Sequence, residues 1–253
     1  RAPIRLRRMT GGERLILLVA VGCAVLAYDM GGYQPAGNDT WYHIAKLRRM
    51  AGMERISETD VWFRDIAISP SYGYNAWHLG MATLARLASA DAFTAWFCAL
   101  PLLVVLQLGA YYAFAKALFE DGPMAFCAAF LFLVFLVLDA QGMSWVAAAV
   151  PFPLAHHLLF FPALTLGLRS MDSRGPALPL VAGFVGGSSF MVHAFTPFYV
   201  LFAVGGLALM TFVFRRTEGR AVRSLLLACL FAAVFALPYG LIRARTYRPV
   251  GTY

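Results

Sequence analysis

Side chains that can take part in chemistry are scarce in this sequence, and several fall in one short stretch. Asp39, His43 and Lys46 are spaced at i, i+4 and i+7, which brings side chains close to one face of a helix. That face would carry a carboxylate, an imidazole and an ammonium group. The same aspartate could instead serve only as the N-cap of a helix that begins at Thr40. We therefore expect a helix over residues 40–51 that carries a candidate reactive group.

The elements that position these residues must be membrane helices. Of the 253 residues, 60% are hydrophobic and 13% are charged, whereas about 25% are charged in a soluble domain. This composition excludes a disordered chain, a soluble Rossmann or barrel enzyme and a disulfide scaffold. The formal net charge of +8 comes largely from arginines that border hydrophobic segments, which is typical of cytoplasmic loops and argues against nucleic-acid binding.

We predict an all-α, polytopic transmembrane helical bundle of about seven or eight spans. A seventh apolar segment, residues 145–168, is interrupted by three prolines. An eighth, residues 76–90, either crosses the membrane or lies at its interface. The positive-inside rule favours seven spans, with the N-terminus in the cytoplasm. The six uninterrupted segments are residues 14–30, 92–118, 123–139, 177–193, 197–214 and 222–240.

The chain is expected to form a single transmembrane domain over residues 1–253. After the first span, residues 31–91 form an extracytoplasmic loop whose aromatic residues favour short interfacial helices. The remaining spans fall within residues 92–240. Because the sequence begins with Arg1, we expect it to be the N-terminal part of a longer protein, located in a bacterial inner (plasma) membrane.

This topology gathers all five histidines near the extracytoplasmic face. Titratable groups are costly in lipid, so such a cluster indicates a functional site; a general preference of histidine for interfaces is the alternative. A divalent cation such as Mg²⁺ or Mn²⁺ could also be held by Asp39 and His43 with further histidines, although the spacing is not a metal-binding signature. The five are His43, His78, His156, His157 and His193.

A first span, an external loop with an Asp-x-x-Tyr-His pattern and a following aromatic Trp-His stretch resemble the GT-C superfamily of integral-membrane glycosyltransferases. The His-Ala-Phe sequence at residues 193–195 is also similar, and the resemblance covers about residues 10–215. The residues that carry it in the loop are Asp39, Tyr42, His43, Arg48, Pro70, Tyr72, Gly73, Tyr74, Trp77 and His78.

The resemblance implies transfer of a hexose or pentose from a polyprenyl-phosphate-linked sugar to a glycan, lipid or protein acceptor. Asp39 occupies the place of the catalytic base, which accepts the proton of the acceptor hydroxyl. Nearby cations would stabilise the departing phosphate, although basic side chains also reach towards lipid headgroups without any such role. The residues assigned to donor-phosphate or substrate binding are His43, Lys46, Arg48, Arg49, Arg64, Tyr74, Trp77, His78 and His193.

Some features differ from the family pattern and keep other classes open. No second acidic residue adjoins Asp39, so the paired-carboxylate pattern of some GT-C members is missing and metal dependence stays open. One alternative is a non-catalytic membrane subunit of a larger complex. Another is a transporter, for which Gly183, Gly186 and Gly187 would form an unwound substrate site; their spacing is more typical of close helix packing.

Overall fold

The computed structural model describes residues 10–31, 37–53, 75–138, 149–214 and 219–246. Every regular element within these ranges is helical, which confirms the predicted all-α class for this part of the chain. The helices are α1 Gly11–Gly31, α2 Gly37–Ala51, α3 Ala76–Leu87, α4 Ala92–Phe119, α5 Gly122–Leu138, α6 Pro151–Ser170, α7 Ala177–Ser188, α8 Thr196–Phe214 and α9 Gly219–Thr246.

Four of these helices, α4, α6, α8 and α9, are long and apolar enough to cross a membrane. Two further apolar helices, Gly122–Val134 and Ala177–Met191, are shorter. The architecture is compatible with a multi-pass membrane protein, while the count of seven or eight spans stays a prediction. Helix α3 has 12 residues and is therefore about 18 Å long, short of the hydrocarbon core of about 30 Å.

Helix α6 is continuous despite its three prolines. Pro151 and Pro153 lie in its first turn, where a missing amide hydrogen costs no helical hydrogen bond. A single π turn, His156–Phe160, follows, and Pro162 is the second residue of the α-helical part that comes after it. The prolines therefore shape this span without ending it.

Helix α4 contributes to two of the three hydrophobic clusters. Its first half, including Trp96 and Leu100, packs with α2, α3 and Leu154 of α6. Its second half, including Leu108, packs with α1 and α5. The third cluster joins α6, α7, α8 and α9, with Leu225 fully buried.

Glycines let α7 and α9 approach closely. A Cβ atom added to Gly187 would lie 2.5 Å from the Ala232 carbonyl oxygen, and one added to Gly183 would lie 2.8 Å from the Ala228 carbonyl oxygen. Neither position has room for a larger residue unless α9 moves. The prediction that these glycines serve helix packing is confirmed.

Helix α2 begins earlier than the sequence pattern indicates. Its first residue is Gly37, so Asp39 lies within the first helical turn and is not the N-cap of a helix that begins at Thr40. A regular backbone therefore carries Asp39 one turn ahead of His43. The alternative in which Asp39 is only the N-cap of a helix that begins at Thr40 is therefore wrong.

Candidate functional site

Helix α2 turns His43 and Lys46 towards the interior of the protein. The exposed fractions are 5% for His43 and 2% for Lys46, and Ile44 and Leu47 are buried beside them. The predicted common face of the imidazole and the ammonium group is confirmed. That face packs on protein.

Asn75 fixes the start of α3. Its side-chain Oδ1 accepts hydrogen bonds from the backbone amides of Trp77 (3.1 Å) and His78 (3.3 Å), as expected for an asparagine N-cap. Its Nδ2 donates to the carbonyl oxygen of Val192 at 2.6 Å. One side chain thus sets the position of His78 and ties α3 to the segment that leads to His193.

His43 and His78 are in direct contact. His43 Nδ1 lies 2.9 Å from His78 Nε2, and the two rings are stacked with centroids 4.9 Å apart. The ring of Trp96 lies parallel to His43, with a centroid distance of 6.2 Å and an interplanar angle of 8°. Helices α2, α3 and α4 each contribute one ring, so the group of three rings forms only when all three helices are packed together.

Burial keeps both imidazoles neutral. Burial, together with a smaller effect of the positive charge of Lys46, lowers the pKa of His43 to about 4. Burial is also the main reason that the pKa of His78 lies well below its usual value, with smaller effects from Lys46 and His43. A hydrogen bond between two ring nitrogens requires one of them to accept, which fits this uncharged state.

Some polar atoms at this site are not used within the part of the chain described here. His78 Nδ1, Trp77 Nε1 and Trp96 Nε1 are buried and have no hydrogen-bond partner there. Buried polar groups in folded proteins nearly always have a partner. These three nitrogens can therefore donate or accept a hydrogen bond with a ligand or with water.

The outer side of α2 borders a separate groove of about 400 Å³. Across it, Arg48 forms an ion pair with Asp91 at 2.7 Å, and the rings of Trp41 and Phe93 are stacked at 6.2 Å. The hydrogen bond from Arg48 is the main reason that the pKa of Asp91 lies below its usual value. The groove is lined by Trp41, Ile44, Ala45, Arg48, Asp91 and Phe93.

His156 and His193 form a second histidine group. The ring of Phe152 contacts both, at centroid distances of 4.5 and 4.9 Å, and His193 Nδ1 lies 3.1 Å from Thr196 Oγ1. Burial lowers the pKa of His193 to about 4, with contributions from His156 and Arg243. The Asn75 bond to Val192 places this group next to α3.

The fifth histidine is separate from both groups. His157 Nδ1 lies 2.8 Å from Gln107 Oε1 and joins α6 to α4. The five histidines therefore do not form one cluster. His43 contacts His78, His156 and His193 share a contact with Phe152, and His157 contacts Gln107.

The other predicted site residues are placed as follows. The backbone of Asp39 lies in α2, and its side chain is outside the described part; Arg64 and Tyr74 are also outside the described residues. Arg49 is half-buried on α2, and Trp77 packs on the hydrophobic cluster around Trp96. The substrate-binding roles of all these residues stay predictions.

Metal binding is likewise untested. Among the described residues, no group of three histidine, cysteine, aspartate or glutamate side chains is arranged to hold a metal ion. His43 and His78 provide two imidazoles, and the side chain of Asp39 is not described. Binding of Mg²⁺ or Mn²⁺ by Asp39 and His43 therefore remains a prediction.

Three residues of the site were not recognised in the sequence. Asn75 was detectable, because an asparagine directly before an apolar helix is a capping signal. Gln107 was also detectable as a polar residue inside an apolar run. Nothing in the sequence separates Trp96 from the other aromatic residues of its span.

Comparison with protein-family models, with curated proteins and with solved structures finds no match to this chain. The choice of a function therefore rests on the chemistry of the residues that the fold brings together.

Proposed function

We propose that this chain is a GT-C-like glycosyltransferase that moves a hexose or pentose from a polyprenyl-phosphate donor to an acceptor outside the cytoplasm. In this proposal it crosses a bacterial inner membrane seven times, with its N-terminus in the cytoplasm. One observation carries the proposal. The ammonium of Lys46 is buried three residues after His43 on α2, its positive charge acts on both members of the neutral His43–His78 pair, and Asp39 lies one helical turn before His43.

A phosphate group suits this arrangement. A buried ammonium favours an anion beside it, and its attraction to negative charge is stronger in a low dielectric than in water. Neutral imidazoles add N–H donors without further positive charge. Together, Lys46, His43 and His78 would stabilise the negative charge that grows on the leaving phosphate.

Asp39 supplies the base in this proposal. Its carboxylate accepts the proton of the acceptor hydroxyl while that oxygen forms a bond to the anomeric carbon. The bond from the anomeric carbon to the phosphate oxygen breaks, and its electron pair leaves with the polyprenyl phosphate. The helical backbone places the Cα atoms of Asp39 and His43 about 6 Å apart along the axis of α2, which allows both groups to face one substrate.

The groove on the outer side of α2 supports a lipid donor. Trp41 and Phe93 offer it an apolar surface, and Arg48 lies at its edge with 69% of its side chain exposed. A polyprenyl chain could lie along these rings while its phosphate reaches the Lys46 side of the helix.

Asp39→Asn tests the proposal. The purified protein would be supplied with radiolabelled polyprenyl-phosphate hexoses and pentoses, and both sugar transfer and binding of polyprenyl phosphate would be measured. We expect transfer to fall by about 10²–10⁴-fold, the usual contribution of a general base, with lipid binding unchanged. The matched control is Asp121→Asn, because Asp121 caps α5 through the Met124 amide and asparagine can do the same.

Undiminished transfer by Asp39→Asn would contradict the assignment. A non-catalytic subunit would bind no polyprenyl phosphate and would co-purify stoichiometrically with a partner. A transporter would move its substrate equally well in both variants.

A further inference from the structure

A large cavity lies at the other end of the molecule. It has a volume of about 950 Å³ and is formed where the ends of α4, α6 and α8 meet the beginning of α9, which are the four candidate spans. Trp96 and Lys116 lie 20 residues apart on α4, or about 30 Å, the thickness of the hydrocarbon core. The cavity therefore lies at the membrane face opposite the His43–His78 pair.

The lining of this cavity carries charges of both signs. Arg169 and Arg220 are exposed cations, and Glu120 and Asp172 are exposed carboxylates. Within the described ranges, none of these four side chains makes a hydrogen bond or an ion pair. Lys116 differs, because its Nζ lies 2.6 Å from Glu13 Oε1.

An apolar strip continues the cavity along α8. Leu207, Met210 and Phe214 line it, and the exposed fractions of Met210 and Phe214 are 55% and 72%. These side chains extend from the charged helix ends towards the middle of the span. The cavity is therefore polar at the membrane face and apolar along the part that lies within the bilayer, as an amphiphile is.

We propose that this cavity binds a phospholipid whose headgroup carries a primary ammonium, an aminophospholipid such as phosphatidylethanolamine. The guanidinium groups of Arg169 and Arg220 bind the phosphate, which arginine matches with paired N–H donors. The carboxylates of Glu120 and Asp172 accept hydrogen bonds from the ammonium. The acyl chains lie along the apolar strip of α8.

Because the cavity lining carries both cations and carboxylates, it favours a headgroup that carries both a phosphate and an ammonium group. Basic pockets between membrane helices commonly hold anionic lipid headgroups, but a purely anionic headgroup would leave Glu120 and Asp172 facing negative charge. A choline headgroup has the positive charge but no N–H donor for the carboxylates. The volume falls in the range of about 300–1,000 Å³ that small-molecule sites occupy. The proposal is independent of sugar transfer at the other face.

Lipid binding to the purified protein in detergent micelles tests this proposal by native mass spectrometry. Phosphatidylethanolamine, phosphatidylcholine and phosphatidylglycerol with identical oleoyl chains would be titrated separately, together with glycerophosphoethanolamine, which lacks the chains. We expect phosphatidylethanolamine to bind about tenfold more tightly than the other two lipids. The chain-free headgroup should bind far more weakly.

Two sets of variants separate the two halves of the headgroup. Arg169→Ala with Arg220→Ala should weaken the binding of all three lipids by about tenfold or more. Glu120→Gln with Asp172→Asn keeps side-chain size and should abolish only the preference for phosphatidylethanolamine over phosphatidylcholine. The control, Arg174→Ala with Arg223→Ala, removes the same charge from exposed positions outside the cavity lining and should bind like wild type.

Equal affinity for the three lipids would overturn the proposal, as would an equal loss of binding in the control. Binding of glycerophosphoethanolamine as tight as that of the lipid would assign the cavity to a soluble ligand. Circular dichroism and gel filtration of each variant establish that the fold is intact, and the size-preserving carboxamide variants keep the test decisive if the arginine variants are unstable.

Discussion

The two ends of α4 hold similar side chains in opposite environments. At its first turns, Lys46 and His78 are buried, with exposed fractions of 2% and 0%. At its last turns, Arg169 and Arg220 are exposed. Buried polar groups depend on the packing around them, whereas exposed groups remain open to a ligand. Substitutions at the first end should therefore affect stability and those at the second end should affect binding.

The largest expected difference is between His78→Ala and Arg220→Ala. The first removes a buried ring and leaves His43 Nδ1 without its contact, so the free energy of unfolding should fall by about 3 kcal/mol. The second removes an exposed side chain and should change this free energy by less than about 0.5 kcal/mol. Chemical unfolding in detergent micelles measures both, and equal losses would remove the distinction between the two ends.

As the pH falls, the stability contributed by the His43–His78 end of α4 should be lost before that contributed by the Lys116 end. His43 and His78 have pKa values below the ordinary value of 6.5 in the folded protein, so the unfolded chain binds more protons as the pH falls below 6.5. Their contribution to stability is complete above pH 6.5 and is lost progressively as the pH falls, for His43 down to its folded pKa of about 4. For His43 alone the loss at pH 5 is about 2 kcal/mol.

At the second end, the hydrogen bond from Lys116 lowers the pKa of Glu13 to about 2 from 4.5. Its contribution is lost only as the pH falls below 4.5. Unfolding measured between pH 7.5 and pH 3 should therefore show the histidine loss first, and His43→Asn should reduce it. A free energy of unfolding that stays constant between pH 7 and pH 5 would contradict the neutral histidine pair.

The smallest expected difference concerns two ion pairs that hold α4. Lys116 and Glu13 have exposed side-chain fractions of 28% and 20%, whereas Arg48 and Asp91 have 69% and 45%. Lys116→Met should lower the free energy of unfolding by about 1–2 kcal/mol, and Arg48→Met should lower it less, because water screens the exposed pair. Double-mutant cycles with Glu13→Gln and Asp91→Asn isolate each pair energy, and added salt should reduce that of the Arg48 pair more. A larger pair energy for Arg48 would reverse the comparison.

The ends of a helix are predicted well from the sequence where the apolar run and the helix end at the same polar residues. Residues 92–118 and 197–214 were predicted, and the helices are Ala92–Phe119 and Thr196–Phe214. Residues 222–240 underestimate Gly219–Thr246, because arginines can continue a helix while their charged ends reach the membrane interface. Hydropathy therefore locates the apolar part of a helix but does not show where its backbone hydrogen bonds end.

The site was predictable only within one helix. The common face of His43 and Lys46 follows from their spacing on α2. The contact of His43 with His78, 35 residues later, depends on how α3 packs against α2 and α4, and no spacing rule gives that geometry. In the same way, no local pattern pairs Arg48 with Asp91, which lies 43 residues further along the chain.

The π turn His156–Phe160 of α6 makes the direction of two side chains depend on a single extra residue. A regular α-helix turns by about 100° per residue, so deleting one residue from this turn would rotate one half of α6 by about that angle relative to the other. His157 would then no longer face Gln107, although both residues would still be present. The exact number of residues between the two ends of this span therefore matters as much as their identity.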